Sequence, residues 1–271
     1  MKNKKRNRLL RIFFLAIIAV CLFQIGWEYL MSMQHKAQQS DLKELVELPT
    51  EDAVQHERVP EESEVTVSTD ADEPQTETEP VMLSKYEALY EENQDIVGWL
   101  SIEDMKIDYP VMQCEDDEYY LHHDFYGEDS KYGCLYVRNQ ADLDLGTNFI
   151  IYGHNMKDGS MFGDLDLYLQ ESFYLEHPVI SFDTLYEERT YEIIAVFRSQ
   201  VYQSDDDVFK YYQFYEADTE EEFNDFYSNI KELSLYDTGV EAAFGDMFLT
   251  LSTCAYHVTD GRLVVVAKRK N

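Results

Sequence analysis

"TLSTCAYHVTDGRLVVVAK", residues 250–268, holds two strand-like runs separated by a short polar stretch. Cys254 closes the first run and Arg262 opens the second, eight residues on. The same texture recurs upstream. "KIDYPVMQ" (106–113), "GCLYV" (133–137), "NFIIYGH" (148–154), "VISFD" (179–183), "TYEIIAVFRSQV" (190–201) and "DMFLTLSTC" (246–254) are short β-branched or aromatic runs bounded by Gly, Asp, Asn or Ser. That spacing predicts an all-β barrel or sandwich.

Helical signals interrupt it in three places. "SKYEALYEENQDIVGWL" (84–100) sets Tyr86, Leu89, Tyr90 and Asn93 at three- and four-residue intervals, with Ser84 available as an N-cap. "SMFGDLDLYLQESF" (160–173) is a second helical stretch. In "TEEEFNDFYSNIKEL" (219–233), Phe223, Phe226, Tyr227 and Ile230 share one face of a third.

The N-terminus reads differently. Six basic residues between Lys2 and Arg11 precede "IFFLAIIAVCLFQIGWEYLM" (12–31), an apolar run broken only by Gln24 and Glu28. Roughly 20 apolar residues cross a bilayer core. The basic flank predicts a cytoplasmic N-terminus, and Trp27 and Tyr29 sit where interfacial aromatics belong. The expected organisation is therefore a cytoplasmic tail (1–11), a single-pass transmembrane anchor (12–33), an acidic flexible linker (34–82) and an extracellular domain (83–271). A cleavable signal peptide is the rival reading, but no A-x-A-like site follows the run. The linker lacks aromatics and carries too little apolar surface to offset the entropy of ordering, with a short helix near Asp41–Glu47 as the alternative.

The formal charge of −32 argues against a grip on nucleic acid or on an anionic membrane surface. No cofactor is implied. No zinc-like Cys or His spacing occurs, and the adjacent His122 and His123, read as strand residues, would point to opposite faces, so no metal site is expected. Cys114 and Cys134 could form a bridge; sequence does not establish their distance.

Taken singly, Cys254 reads as a small core residue, His154 as a loop residue after a strand, and Arg262 as a surface charge. Together they supply a nucleophile, a proton carrier and a cation for an oxyanion, the set that acyl transfer by a thiol needs. Their order, His then Cys then Arg, also differs from that of papain-like enzymes.

"TLSTC" (250–254) followed by "RLVVVAK", with "IIYGHNM" (150–156) upstream, resembles the sortases, membrane-anchored cysteine transpeptidases of Gram-positive bacteria. "DIVGWLSIEDMKIDYPVMQ" (95–113), "YYLHHDF" (119–125), "KDGSMFGDL" (157–165) and the helix after Asp218 resemble the class B branch. The resemblance implies an eight-stranded β-barrel with an N-terminal helix and a helix between the sixth and seventh strands. It implies Cys254 as nucleophile, His154 as general acid and base, and Arg262 as the oxyanion's partner, with Leu121, Tyr152 and Ser252 lining the substrate groove. It further implies surface proteins with a C-terminal sorting signal as substrates and a peptidoglycan precursor amine as acceptor. A pilin lysine as acceptor, or a tethered non-catalytic binding domain, are the alternatives. Three features depart from the pattern: the loop from Cys254 to Arg262 is short, Ala255 follows the nucleophile where some relatives carry an acid, and Val137 and Arg138 stand where relatives commonly show one.

Overall fold

The computed structural model describes residues 2–47, 80–256 and 258–270, in two compact units, Met1–Leu48 and Pro49–Asn271. The first unit is one helix, α1 (Lys2–Glu47). Its Leu10–Val46 stretch is long and apolar enough to cross a membrane. Phe13, Phe14, Ile18, Phe23 and Trp27 are exposed on it, so it is apolar around its circumference rather than along one stripe. The helix continues through 34–47, the start of the stretch expected to be a flexible linker, because Lys36, Ala37, Gln38, Gln39, Leu42, Lys43 and Glu44 are good helix formers. The rest of the expected linker up to residue 79 lies outside the described residues.

The second unit is a closed barrel of eight strands. In chain order these are β1 (Ile96–Ser101), β2 (Asp108–Met112), β3 (Leu135–Val137), β4 (Asn148–Gly153), β5 (Val179–Thr184), β6 (Thr190–Gln200), β7 (Phe248–Cys254) and β8 (Gly261–Arg269). Around the barrel they run β1-β2-β3-β4-β7-β8-β6-β5, and β5 pairs back onto β1. Two of the contacts are parallel, β2 with β3 and β4 with β7.

Seven strands fall on the seven runs read as strands. The eighth does not: β1 lies in the stretch read as the end of a helix. That helix, α2 (Ser84–Glu92), stops short of it, with Asn93 as its C-cap in extended geometry. Ile96 and Val97 are β-branched, and β1 finds partners on both sides. Nor does Ser84 cap α2; the N-cap is Leu83, whose N–H is bonded to Leu185 O, so the barrel rather than a side chain fixes the helix entry. The second helical stretch is a 3₁₀ helix (Gly163–Leu169) followed, after Gln170, by a short α-helix (Glu171–Glu176).

The central strands are apolar on both faces, and the structure shows why. Phe149, Ile151, Leu249, Leu251, Leu263 and Val265 point into the barrel, whereas Ile150, Phe248, Val264 and Val266 belong to a second cluster outside it. Phe223, Phe226 and Ile230 cover that outer cluster from a long helix, Glu220–Leu233, inserted between β6 and β7 as expected. Thr219 and Glu222 close a capping box at its start. A strand buried on both faces reads as a continuous apolar run, as "LVVV" does.

Candidate active site

The site forms where β4, β7 and β8 end together. Parallel pairing of β4 with β7 aligns Tyr152 with Ser252 and Gly153 with Thr253, so His154 follows one residue beyond the last pair, level with Cys254. Antiparallel pairing of β7 with β8 sets Arg262 directly opposite Cys254. Neighbouring strands lie about 4.8 Å apart, which brings three segments distant in sequence to one row at the end of the sheet. Thr253 Oγ1 donates to Gly153 O at 2.7 Å and laces the two parallel strand ends together.

All six residues singled out in the sequence line one groove of about 540 Å³: Leu121, Tyr152, His154, Ser252, Cys254 and Arg262. Cys254, His154 and Arg262 are each half-buried, open to the groove but walled by protein. Arg262 donates to Gly261 O at 3.0 Å and Asp260 O at 3.3 Å, which orients the guanidinium, and among the described residues no acidic side chain pairs with it. His154 Nε2 lies 2.8 Å from Leu121 O.

Ser252 is buried at the groove floor, where its hydroxyl and that of Tyr211 share a 2.7 Å hydrogen bond. Burial pushes the Tyr211 phenol up to about 12, against the lowering effect of that bond, so it stays neutral. Tyr152 stacks on Tyr136 with centroids 5.6 Å apart, and the Arg138 guanidinium lies over the Tyr152 ring at 5.1 Å. Arg138 thus has a structural reading that its sequence position did not offer: its cation caps an aromatic wall of the groove and also sits 4.0 Å from Asp117.

Several groove residues carried no signal in the sequence. Tyr211 and Tyr212 come from the long connection after β6, and Val201 is its first residue. Asn155, next to His154, donates to Cys254 O. In a chain rich in tyrosine, position in the fold alone separates these from packing residues.

The expected geometry at His122 and His123 is corrected. His122 ends a single helical turn, α3 (Tyr119–His122), and His123 follows as its extended C-cap, bridged to Asp129; His123 Nδ1 donates to Tyr119 O at 2.7 Å and its ring stacks on Tyr119. Among the described residues no group of three or more His, Cys, Asp or Glu side chains could hold a metal. All four cysteines are free, so Cys114 and Cys134 are not bridged. A more open hollow of about 710 Å³, lined by Glu187, Arg189 and Arg269 among others, has neither cysteine nor histidine in its wall.

The family profile described as the Sortase domain matches residues 100–270. The chain belongs to the sortase family. It is 38% identical to sortase B of Listeria monocytogenes over 184 residues, 65% of this chain and 70% of that one. Against sortase B of Staphylococcus aureus the identity is 32% over 187 residues, 68% and 74% of the two chains. Solved structures agree. A Staphylococcus aureus sortase B–substrate complex superposes with a TM-score of 0.70 at 26% identity, covering 89% of this chain and 99% of that one. Sortase B from Bacillus anthracis in complex with AAEK1 gives 0.68 at 29% identity, covering 89% and 98%. These likenesses set the chain within the class B branch of a family of cysteine transpeptidases, and the eight-stranded barrel with its N-terminal helix is the fold of that branch.

Proposed function

We propose that this sortase cleaves a C-terminal sorting signal after its threonine and transfers the acyl group, through a thioester on Cys254, to an amine of a peptidoglycan precursor. The observation that carries the reading is the alignment of Cys254 opposite Arg262 on β7 and β8, with His154 at the end of the adjoining β4, in one groove.

Cys254 Sγ, as thiolate, forms a bond to the scissile carbonyl carbon, and the carbonyl electrons move to oxygen. The Arg262 guanidinium faces that oxyanion and lowers the barrier most where charge is greatest. His154 gives its proton to the leaving nitrogen as the carbon–nitrogen bond breaks. An incoming amine then attacks the thioester, His154 takes the amine's proton, and the sulfur leaves as thiolate. Leu121, Tyr152 and Ser252 form the walls and floor that hold the peptide. The apolar helix α1 anchors the chain in the cell membrane, N-terminus inside, with the barrel outside, joined by the acidic stretch up to residue 82.

The test is incubation of the full chain, in detergent micelles, with a pentapeptide library and candidate amines, read by mass spectrometry. The reading requires a thioester on the wild type, none on Cys254→Ala, and an amine-exchanged product. Hydrolysis without exchange would make the chain a peptidase, exchange onto a pilin lysine alone would make it a pilus polymerase, and no product at all would make it a tethered binding domain.

A further inference from the structure

We propose that the main-chain carbonyl of Leu121 orients the His154 imidazole within the catalytic set, and that Gly133 is the positioning residue that holds this carbonyl in place. The inference rests on the reading of His154 as the proton carrier.

The first step is hydrogen-bond chemistry. A carbonyl only accepts, so at 2.8 Å the nitrogen facing Leu121 O must carry hydrogen. His154 Nε2 is therefore a donor whether the ring is neutral or charged, and Nδ1 alone is left to take up and release the proton during turnover. In a serine-protease triad an aspartate performs this task, fixing tautomer and ring orientation. Here no acidic side chain is needed, because the backbone supplies the acceptor.

The second step is what keeps the acceptor still. Leu121 lies in the single turn α3, and the carbonyls on either side of it are tied to one passing segment. Tyr120 O accepts from Cys134 N at 2.8 Å, and His122 O accepts from Ser130 N at 2.8 Å. Leu121 O, between them, is given to His154. Gly133 sits against this point with φ of +59°. A Cβ there would lie 2.5 Å from Tyr120 O and 2.8 Å from Leu121 O, distances that real Cβ atoms do not adopt. A side chain at 133 would therefore displace the carbonyl that holds the imidazole. Gly127, in the same excursion, also has positive φ (+78°), but its Cβ would meet only the Tyr119 hydroxyl, at 3.1 Å. The two glycines share the conformational demand and differ in what they press upon.

That difference supplies the experiment. The substrate is the pentapeptide that the wild-type full chain cleaves best, with kcat and KM measured for each variant in micelles. Gly133→Ala should lower kcat roughly tenfold or more with KM within about twofold, the signature of a misdirected catalytic group. Gly127→Ala should keep the wild-type kcat. Leu121→Ala, which removes the side chain and leaves the carbonyl, should raise KM more than it lowers kcat. Should Gly133→Ala fail to fold, an ester in place of the Leu121–His122 peptide weakens the same carbonyl as an acceptor while every side chain is retained, and kcat should fall several-fold. A wild-type kcat in folded Gly133→Ala or in the ester form, or an equal loss in Gly127→Ala, overturns the assignment. A wild-type chain that forms no thioester is a different result: it removes the reading of the site itself, and this inference with it.

Discussion

The side-chain amide of Asn155 donates to the main-chain carbonyl of Cys254 at 2.9 Å. With Thr253 Oγ1 bonded to Gly153 O, this gives two cross-links between the segment bearing the histidine and the strand bearing the cysteine. The relative placement of imidazole and sulfur is thus set by two short hydrogen bonds from neutral side chains. Asn155→Ala should cost about 1 kcal/mol of stability and lower kcat more than it raises KM, because acyl transfer is sensitive to sub-ångström placement. Asn155→Asp keeps the shape, loses the donor and sets a carboxylate against the Cys254 carbonyl and Asp166, so it should be at least as impaired as the alanine variant. Peptide-cleavage kinetics on both variants check this; an aspartate variant at wild-type kcat would show that the amide bond is not needed.

The three thiols of the barrel unit should separate by reactivity. Burial pushes the Cys134 thiol well up, with the nearby Asp124 carboxylate adding to it, so the thiolate is scarce there. Burial also raises Cys114, although a main-chain hydrogen bond from Asp116 opposes the shift. Cys254 faces the groove. Iodoacetamide on the native chain should modify Cys254 and leave Cys134 untouched until denaturant is added, as read by peptide mass mapping. Native labelling of Cys134 would contradict the packing around it.

Acid should weaken the barrel partly through Glu187. Burial draws its carboxyl upward, but the hydrogen bond and charge of Arg189, with Arg269, draw it further down, so the net position is below the ordinary carboxylate range. A depressed carboxyl contributes stability that is present above the unfolded value of about 4.3 and is lost as pH falls through the folded value. Because the Glu187 side chain is 47% exposed, the contribution is less than about 1 kcal/mol. Urea unfolding at pH 7 and pH 3 should show Glu187→Gln less stable than wild type at the higher pH, with the difference narrowed at the lower. A constant difference across that range would contradict the sign.

The helix between β6 and β7 should be held by its cap and by one aromatic face. Thr219→Ala breaks the capping box and should cost about 1 kcal/mol. Phe226→Ala removes a fully buried ring that stacks on Phe214 at 4.0 Å and should cost about 3–5 kcal/mol. Equilibrium denaturation of both variants tests the ranking. The reverse order would mean that the cap rather than the packing secures the helix.

What was legible in the sequence is what depends on local pattern. Seven strands announced themselves as short β-branched or aromatic runs, and Phe223, Phe226 and Ile230 announced a helix face, because side-chain periodicity follows backbone geometry residue by residue. The membrane-length apolar run and the chemistry of Cys254, His154 and Arg262 were readable for the same reason, since side-chain type is written in the chain. β1 was not: Ile96–Ser101 follows a helix after three residues, and only its pairing with neighbouring β2 and with β5, far along the chain, selects strand over helix.

Tertiary structure decided everything that needs two segments at once. Parallel pairing of β4 with β7 brings positions 100 residues apart to one level, and no local pattern encodes that register. The Leu121 carbonyl is the sharpest case. Every residue, proline included, carries the same main-chain carbonyl acceptor, so nothing in the letter L marks this one; the fold singles it out by turning it toward His154 and leaving room for it beside a glycine.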